Sequence, residues 1–187
     1  MDNKNTTKIS KYLSYILRHQ PQSIGLTLDK NGWANIDELI TKTTDFSLRL
    51  STIQYVVETN DKQRFSLNEN ATKIRANQGH SLEIDLALTA QQPPAVLYHG
   101  TAKHFVVSIQ EHGLKKQNRH HVHLSQHKDV ANSVGARHGK PIIFKLRTAA
   151  MIQDGFIFYQ SDNNVWLTDL VPAKYLQLVE EEQNGHL

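Results

Sequence analysis

The sequence predicts an α+β protein with a helical N-terminal lobe and a strand-rich C-terminal lobe. Apolar residues recur at helical spacing over much of residues 8–59. Short runs rich in β-branched and aromatic residues dominate the second half of the chain. The adjacent prolines Pro93 and Pro94 lie where the pattern changes, and paired prolines are typical of a linker. We therefore expect one lobe over residues 1–90 and a second over residues 91–187.

Three helices are predicted in the first lobe. The first covers residues 8–19 and carries an apolar stripe at helical spacing. Pro21 should end this helix, because the residue before a proline resists the helical conformation. Asn35 can cap a second helix, and a third is predicted around residues 50–59.

A β-hairpin is predicted after the third helix, with candidate strands at residues 64–67 and 73–76. A shorter strand is predicted over residues 26–28, followed by a tight turn and a return of the chain at residues 33–34. Three short helices followed by a hairpin are typical of a winged-helix module. Such modules usually bind nucleic acids, although a fold alone does not establish a function.

The second lobe is predicted to combine short strands with two helices. One helix covers residues 103–112 and stops at Gly113, and the other covers residues 127–136. The predicted strands are residues 96–98, 141–146, 155–159 and 165–167. The aromatic residues expected in the core are Trp33, Phe65 and Trp166.

Composition restricts the class of protein. The 187 residues include no cysteine, which excludes disulfides, thiol nucleophiles and thiolate metal sites. No apolar run approaches the ~18 residues of a membrane span, and the N-terminus lacks the pattern of a signal peptide. We therefore expect a cytoplasmic protein without membrane association. The formal net charge of +3 is compatible with a polyanionic partner.

Residues 118–125 contain one arginine and three histidines. If they form a strand from Arg119 onward, alternation places Arg119, His121 and His123 on one side. Such a cationic edge suits an anionic ligand, and the alternative is a polar strand with locally satisfied histidines. A metal site is not expected, because neighbouring strand residues point to opposite faces and acidic ligands are scarce nearby.

Signatures of phosphate loops, dinucleotide folds, zinc proteases and hydrolase nucleophiles are absent from the sequence. Five polar motifs remain: Leu17-Arg18-His19, Asp61-Lys62-Gln63-Arg64-Phe65, Gln78-Gly79-His80-Ser81, Tyr98-His99-Gly100-Thr101, and Arg119 followed by His123-Leu124-Ser125. Together and in this order, they resemble the RNA 2′-phosphotransferase family (Tpt1/KptA) from about Ile9 to Leu178.

The resemblance implies an enzyme of the tRNA-splicing type, which removes a 2′-phosphate from an RNA splice junction and consumes NAD⁺ as the phosphate acceptor. In the implied first step, the 2′-phosphate attacks C1″ of the nicotinamide ribose and nicotinamide leaves. In the second step, the ribose O2″ attacks phosphorus and releases 2′-hydroxyl RNA and ADP-ribose 1″,2″-cyclic phosphate. Because a phosphate is already an anion, this chemistry requires orientation and fixed cations, with no metal.

By motif match, the catalytic set of the family falls on Arg18, His19, Arg64 and Arg119. The arginines would hold the 2′-phosphate and its transition state, and His19 would donate a hydrogen bond or a proton to the departing RNA oxygen. From spacing alone, Arg64 could equally be an exposed cation on a wing strand. Arg18 and His19 could equally be cations that suit the end of a helix.

The same resemblance implies an ADP-ribosyltransferase-like fold for the second lobe, with His99, His123 and Val165 at its three signature places. The residues expected to bind NAD⁺ are His99, Gly100, Thr101, His123, Leu124, Ser125 and Val165. Gly100 would let the backbone approach NAD⁺, although it could also belong to an ordinary turn that needs a positive φ. No carboxylate follows Val165 directly, which argues against modification of protein arginines.

Two other functions stay open. An ADP-ribosyltransferase acting on nucleic-acid phosphate ends would share the first step and lack the second. A winged-helix regulator that only senses NAD⁺ would need the dinucleotide pocket but not the arginines. In the leading interpretation, the partners are NAD⁺ and RNA bearing a 2′-phosphate, and the protein is a monomer.

Overall fold

The computed structural model describes residues 3–179 and divides the chain into two compact units. The first unit contains the chain up to Leu88 and two short segments from further along, Asn118–His120 and Ser161–Asn163. The described part of the second unit comprises Thr89–Gln117, His121–Gln160 and residues 164–179. Both units combine helices with antiparallel strands, which confirms the predicted α+β class.

The described part of the first unit has three α-helices and a three-stranded antiparallel sheet, in the strand order β1-β3-β2. Its elements are α1 (Asn3–Arg18), β1 (Ala34–Asn35), α2 (Ile36–Lys42), α3 (Leu50–Glu58), β2 (Phe65–Leu67) and β3 (Lys73–Ala76). The predicted cap is confirmed, because the Asn35 side chain accepts a hydrogen bond from the backbone N–H of Glu38 at 2.9 Å. The three predicted helices and the hairpin are confirmed as well.

Helix α1 begins earlier than predicted, because the polar residues before Ile9 continue the helix ahead of its apolar stripe. It ends at Arg18, and Pro21 starts a short 3-10 turn soon after. His19 lies just beyond the helix, where its backbone N–H donates to the carbonyl oxygen of Tyr15 at 3.0 Å. Arg18 and His19 are therefore fixed at the end of a regular helix.

The core of the first unit lies between the helices and the sheet. Leu13 in α1, Ile53 in α3 and Ile74 in β3 are fully buried, and Phe65 is buried as predicted. Burying each such side chain contributes about 1.5–3 kcal/mol. This packing anchors the helix that ends at Arg18 and the strand that follows Arg64.

The described part of the second unit contains three small antiparallel sheets, in the strand orders β11-β7-β4, β6-β9-β8 and β10-β5. Its elements are β4 (Val96–Ala102), α4 (Val106–His112), β5 (Leu114–Lys115), β6 (Val122–Leu124), α5 (Lys128–Gly135), β7 (Pro141–Arg147), α6 (Thr148–Gln153), β8 (Tyr159–Gln160), β9 (Trp166–Thr168), β10 (Leu170–Val171) and β11 (Leu176–Leu178). The core residues Leu97, Leu146 and Phe158 are fully buried, and Trp166 is buried as predicted.

One predicted strand of the second unit is wrong for most of its length. Of residues 155–159, only Tyr159 belongs to a strand, and Gly155 has a φ of 89° that favours glycine. The preceding helix α6 was not predicted, because its six residues are too few to display a clear helical period.

The proline-containing segment between the halves of the chain packs against the second unit. The backbone N–H of Gln91 donates to the carbonyl oxygen of Phe158 at 2.9 Å. The hydroxyl of Thr148 donates to the carbonyl oxygen of Pro94. This segment is therefore an ordered part of that unit.

Candidate active site

Arg18, the last residue of α1, has a largely enclosed guanidinium group. Its Nε and Nη2 atoms are buried and have no hydrogen-bond partner among the described residues. Burial, followed by the charges of Arg64 and Arg119, lowers the pKa of Arg18 to about 10, so the group remains charged at neutral pH. Buried donors almost always have an acceptor. The two unpartnered donors of the Arg18 guanidinium therefore suit an anionic acceptor.

Arg64 immediately precedes β2 and is held by a turn that begins at Asn60. The carboxamide oxygen of Asn60 accepts hydrogen bonds from the Arg64 backbone N–H at 3.2 Å and from its Nη1 at 3.4 Å. The backbone N–H of Asn77 donates to the Arg64 carbonyl oxygen at 2.9 Å. Arg64 is half-buried and lies outside the strand, so its interpretation as an exposed strand cation is wrong.

Arg119 lies in the Asn118–His120 segment of the first unit and not in a strand. Strand β6 begins only at Val122, so the alternation predicted from Arg119 onward is wrong for that residue. Arg119 belongs to the same compact unit as Arg18 and His19, and its charge lowers the pKa values of both. The three predicted arginines therefore come together within one unit.

His19 completes this cluster beside Arg18. Its Nδ1 atom lies 2.9 Å from the Ser81 hydroxyl oxygen, and the Ser81 backbone N–H donates to the Arg18 carbonyl oxygen at 3.0 Å. Burial and the charges of Arg18 and Arg119 lower the pKa of His19. The imidazole is therefore mostly neutral at neutral pH, and it becomes easier to protonate when an anion binds among the arginines.

The loop before Ser81 covers the arginine. Gly79 has a φ of 85°, and the position of a Cβ there would lie 3.7 Å from the Arg18 guanidinium carbon. His80 is only 2% exposed, and burial followed by the charges of Arg18 and His120 lowers its pKa to about 4. The loop thus buries Arg18 with a neutral histidine and holds His19 through Ser81.

Trp33 is half-buried and lies outside the core, so the prediction for this residue is wrong. Its ring instead stacks against Arg75, whose guanidinium carbon lies 4.7 Å from the ring centroid. Arg75 also pairs with Asp162 at 2.7 Å. Because Asp162 belongs to Ser161–Asn163, this ion pair ties a distant segment of the chain to the first unit.

In the second unit, the His99 Nδ1 atom donates a hydrogen bond to the backbone carbonyl oxygen of His123 at 3.0 Å. A carbonyl oxygen only accepts, so Nδ1 carries the proton in this hydrogen bond. Tyr98 and Ser125 exchange two backbone hydrogen bonds of 2.8 Å. Strands β4 and β6 are thereby joined at the residues predicted to bind the dinucleotide.

Gly100 lies within β4 and is not among the glycines with positive φ, so the alternative of a turn is wrong. A Cβ at this position would lie 1.6 Å from the carbonyl oxygen of Ala131 in α5. A Cβ at Gly135 would lie 2.6 Å from the carbonyl oxygen of Thr101. Glycine is therefore required at both positions for α5 to pack on β4.

The remaining predicted residues of the second unit differ in exposure. The side chain of Leu124 is 1% exposed and belongs to the core, so any ligand contact would involve its backbone. His123 and Ser125 are half-buried on the other face of β6, as alternation predicts. Thr101 is buried at 7% exposure, and Val165 is half-buried directly before β9.

Residues 3–179 contain neither a candidate metal site nor a helix suited to span a membrane. No group of three or more histidine, aspartate or glutamate side chains in this range is arranged to hold a metal ion. Nor does any helix in this range combine the length and apolar character needed to cross a membrane.

Comparison with known proteins shows the family of the chain. The family model for RNA 2′-phosphotransferase, Tpt1 / KptA family, matches residues 4–170. The chain belongs to this family. A protein of Flavobacterium johnsoniae is 55% identical over 178 residues, which cover 94% of this chain and 98% of the relative. A protein of Nostoc punctiforme is 52% identical over 181 residues, which cover 96% of this chain and 100% of the relative. Both relatives are named probable RNA 2′-phosphotransferase.

Membership in the Tpt1/KptA family confirms the resemblance inferred from the five motifs and the prediction of an enzyme, a transferase. The structure also shows where the Gln78-Gly79-His80-Ser81 motif lies relative to Arg18 and His19. Sequence reasoning assigned this motif no role, whereas the structure shows it enclosing Arg18 and bonding to His19.

Sequence reasoning missed the two asparagines that hold Arg64 in this member of the Tpt1/KptA family. Asn77 is 4% exposed, and its side chain donates to the Gln63 carbonyl oxygen and accepts from the Ser66 hydroxyl, both at 2.6 Å. Asn60 bonds to Arg64 directly. The only signal in the sequence was the position of these asparagines beside short strands, where side chains often bond to turn backbone.

Proposed function

We propose that this protein is an NAD⁺-dependent RNA 2′-phosphotransferase, which transfers an internal 2′-phosphate of RNA, of the splice-junction type, to NAD⁺. The products are 2′-hydroxyl RNA, ADP-ribose 1″,2″-cyclic phosphate and nicotinamide. The observation that carries the proposal is the enclosed guanidinium of Arg18, whose buried Nε and Nη2 donors have no partner among the described residues and which shares one compact unit with Arg64 and Arg119. A cluster of positive charges attracts an anion, and a phosphate dianion matches the buried Nε and Nη2 donors of Arg18.

In the first proposed step, an oxygen of the 2′-phosphate forms a bond to C1″ of the nicotinamide ribose, and nicotinamide leaves with the electron pair of the broken C–N bond. The phosphate needs no base, because it is already an anion at neutral pH. The buried Nε and Nη2 donors of Arg18 would fix its orientation by charge-assisted hydrogen bonds. Orientation of this kind accounts for much of the effect of an enzyme on such a step.

In the second proposed step, the ribose O2″ forms a bond to phosphorus and the RNA 2′-oxygen leaves. Negative charge on the phosphate oxygens would be stabilised by Arg64 and Arg119, which are fixed before the reaction begins. The departing RNA oxygen needs a proton, and O2″ loses one. His19 suits this transfer, because its lowered pKa rises again beside a bound anion.

The second unit would bind NAD⁺ as a substrate, with an ADP-ribosyltransferase-like arrangement. We propose that His99 Nε2 accepts a hydrogen bond from a ribose hydroxyl, because the bond from Nδ1 to His123 orients the ring. The half-buried face of β6 adds His123 and Ser125. These groups fit a sugar-containing ligand, and we include Thr101 and Val165 in the same set.

We assign RNA binding to the first unit, whose helices and hairpin resemble a winged helix. A cytoplasmic, monomeric enzyme with lobes over residues 1–90 and 91–187 remains our expectation. The alternative of a sensor that only binds NAD⁺ gives no account of the buried, unpartnered donors of Arg18.

The test is incubation with NAD⁺ and an RNA that carries one internal 2′-phosphate. We expect 2′-hydroxyl RNA and ADP-ribose 1″,2″-cyclic phosphate to appear together, and neither to appear without NAD⁺. An unchanged RNA would contradict the proposal. ADP-ribose left on a nucleic-acid phosphate as the final product would instead indicate the ADP-ribosyltransferase alternative.

A further inference from the structure

A polar groove follows one face of α1 in the first unit. It includes two residues of the arginine cluster, by which we mean Arg18, His19, Arg64 and Arg119. Its volume is about 540 Å³, and every residue that lines it carries a polar group. His19 and Arg64 are among these residues, as are Lys11 and Tyr15 of α1 and Lys62 of the turn before β2. Two of the four candidate catalytic residues therefore line a longer surface channel.

Three lining residues, Lys11, Tyr15 and His19, are spaced four residues apart. Lys11 and Tyr15 lie on one face of α1, about 6 Å apart along its axis, and His19 follows just beyond the end of the helix, with its backbone N–H bonded to the Tyr15 carbonyl oxygen. Tyr15 is 51% exposed, which leaves a ring face accessible to a planar ligand. A cation, an aromatic ring and an imidazole thus stand in a row that ends at the candidate proton donor.

A hydrogen bond holds the two sides of the groove together. The Asn60 side chain donates to the Ser10 hydroxyl oxygen at 3.1 Å, which joins α1 to the turn on the other side. The same side chain accepts from Arg64. Lys11, Lys62 and Arg64 outnumber the one carboxylate of the lining, Asp61, so the groove favours a polyanion.

We propose that this groove binds the RNA strand that flanks the 2′-phosphate, an inference that rests on the proposed function. Tyr15 stacks on a base next to the reacting nucleotide, and Lys11 pairs with a phosphate further along. The face of α1 from Asn3 to Tyr15 is about 18 Å long, which corresponds to about five stacked nucleotides at ~3.4 Å each. The threonine, serine and asparagine side chains of the lining suit ribose 2′-hydroxyls.

The proposal predicts that binding depends on RNA length in one direction only. Three RNAs would be compared by fluorescence anisotropy without NAD⁺: a trinucleotide with a central 2′-phosphate, and the same RNA extended by several nucleotides at its 5′ or its 3′ end. We expect one extension to lower Kd at least about tenfold, as stacking on an aromatic side chain does. The other extension should change Kd far less.

Tyr15→Ala and Lys11→Ala should each remove most of that gain while affecting the trinucleotide least. Lys11→Ala should also reduce the slope of log Kd against log salt by about 0.7, the value for one phosphate contact in a single strand. The matched controls are Tyr55→Ala and Lys8→Ala, which change exposed residues of α3 and α1 outside the groove. Both controls should keep the full gain.

Equal Kd values for the three RNAs would overturn the proposal. So would a loss of affinity in the Tyr15 and Lys11 variants that is equal for all three RNAs. The proposed function fails separately, because a wild-type protein that leaves the 2′-phosphate untouched in the presence of NAD⁺ contradicts it. The length dependence measured without NAD⁺ would then still stand as evidence for the groove.

Discussion

The side chain of His99 donates a hydrogen bond from Nδ1 to the backbone carbonyl oxygen of His123, 3.0 Å away. These two residues are far apart in the sequence, and each belongs to a different motif of the family pattern. Their contact fixes both the protonated nitrogen and the orientation of the His99 ring. One imidazole therefore joins the strands of two family motifs through its Nδ1 atom.

We predict that His99→Asn raises the KM for NAD⁺ about tenfold, the effect of losing one hydrogen bond to a ligand. The asparagine amide can still donate to the His123 carbonyl oxygen, but it offers nothing at the Nε2 position. The midpoint of thermal unfolding should therefore change little. His99→Gln, whose side chain reaches the Nε2 position, should recover part of the lost affinity. A KM for NAD⁺ that is unchanged in His99→Asn would show that Nε2 does not bind this substrate.

A second prediction concerns His80 and the pH dependence of stability. Its pKa is about 4 in the folded protein and about 6.5 when unfolded. As the pH falls below 6.5, the unfolded chain takes up a proton at this position and the folded chain does not. The free energy of unfolding should therefore fall by up to about 3 kcal/mol between pH 6.5 and pH 4, and be independent of this group above pH 6.5.

The groups that face His80 are Arg18, His19, Arg75 and His120, all of which oppose its protonation. Urea unfolding at a series of pH values would compare the wild type with His80→Gln, which cannot titrate. The variant should lose most of the slope between pH 6.5 and pH 4, and His112→Gln, a change of an exposed histidine in α4, should retain it. A His80→Gln slope equal to that of the wild type would contradict the prediction.

The features that sequence reasoning predicted correctly depend on neighbouring residues. The Asn35 cap is a contact with Glu38, three residues away. Helix α3 and the hairpin of β2 and β3 likewise arise from local periodicity and a short turn. The candidate catalytic residues were assigned differently, because their assignment came from the order of five motifs and not from the chemistry of any one of them.

The features that sequence reasoning missed depend on contacts between distant residues. Gly100 is needed because the backbone of Ala131 occupies the place of a side chain. Trp33 lies outside the core because Arg75 stacks on its ring. Arg119 joins the first unit from beyond the proline segment. Hydrophobic periodicity and residue propensity carry no information about such long-range contacts, because these contacts form only when distant elements pack together.

The last prediction separates the two proposed chemical steps. Arg64→Ala and Arg119→Ala should slow the second step more than the first, because charge increases on the phosphate oxygens when O2″ attacks phosphorus. Removing one fixed donor of this kind typically lowers a rate 10²- to 10³-fold. RNA joined through its 2′-phosphate to ADP-ribose should therefore accumulate in single-turnover reactions followed by gel electrophoresis.

Arg64→Lys should retain part of the second-step rate, because lysine keeps the charge but not the bidentate fork. Arg49→Ala, which removes an exposed arginine at the start of α3, is the matched control and should show no accumulation. Equal slowing of both steps in the Arg64 and Arg119 variants would mean that these residues bind the 2′-phosphate without favouring the second transition state.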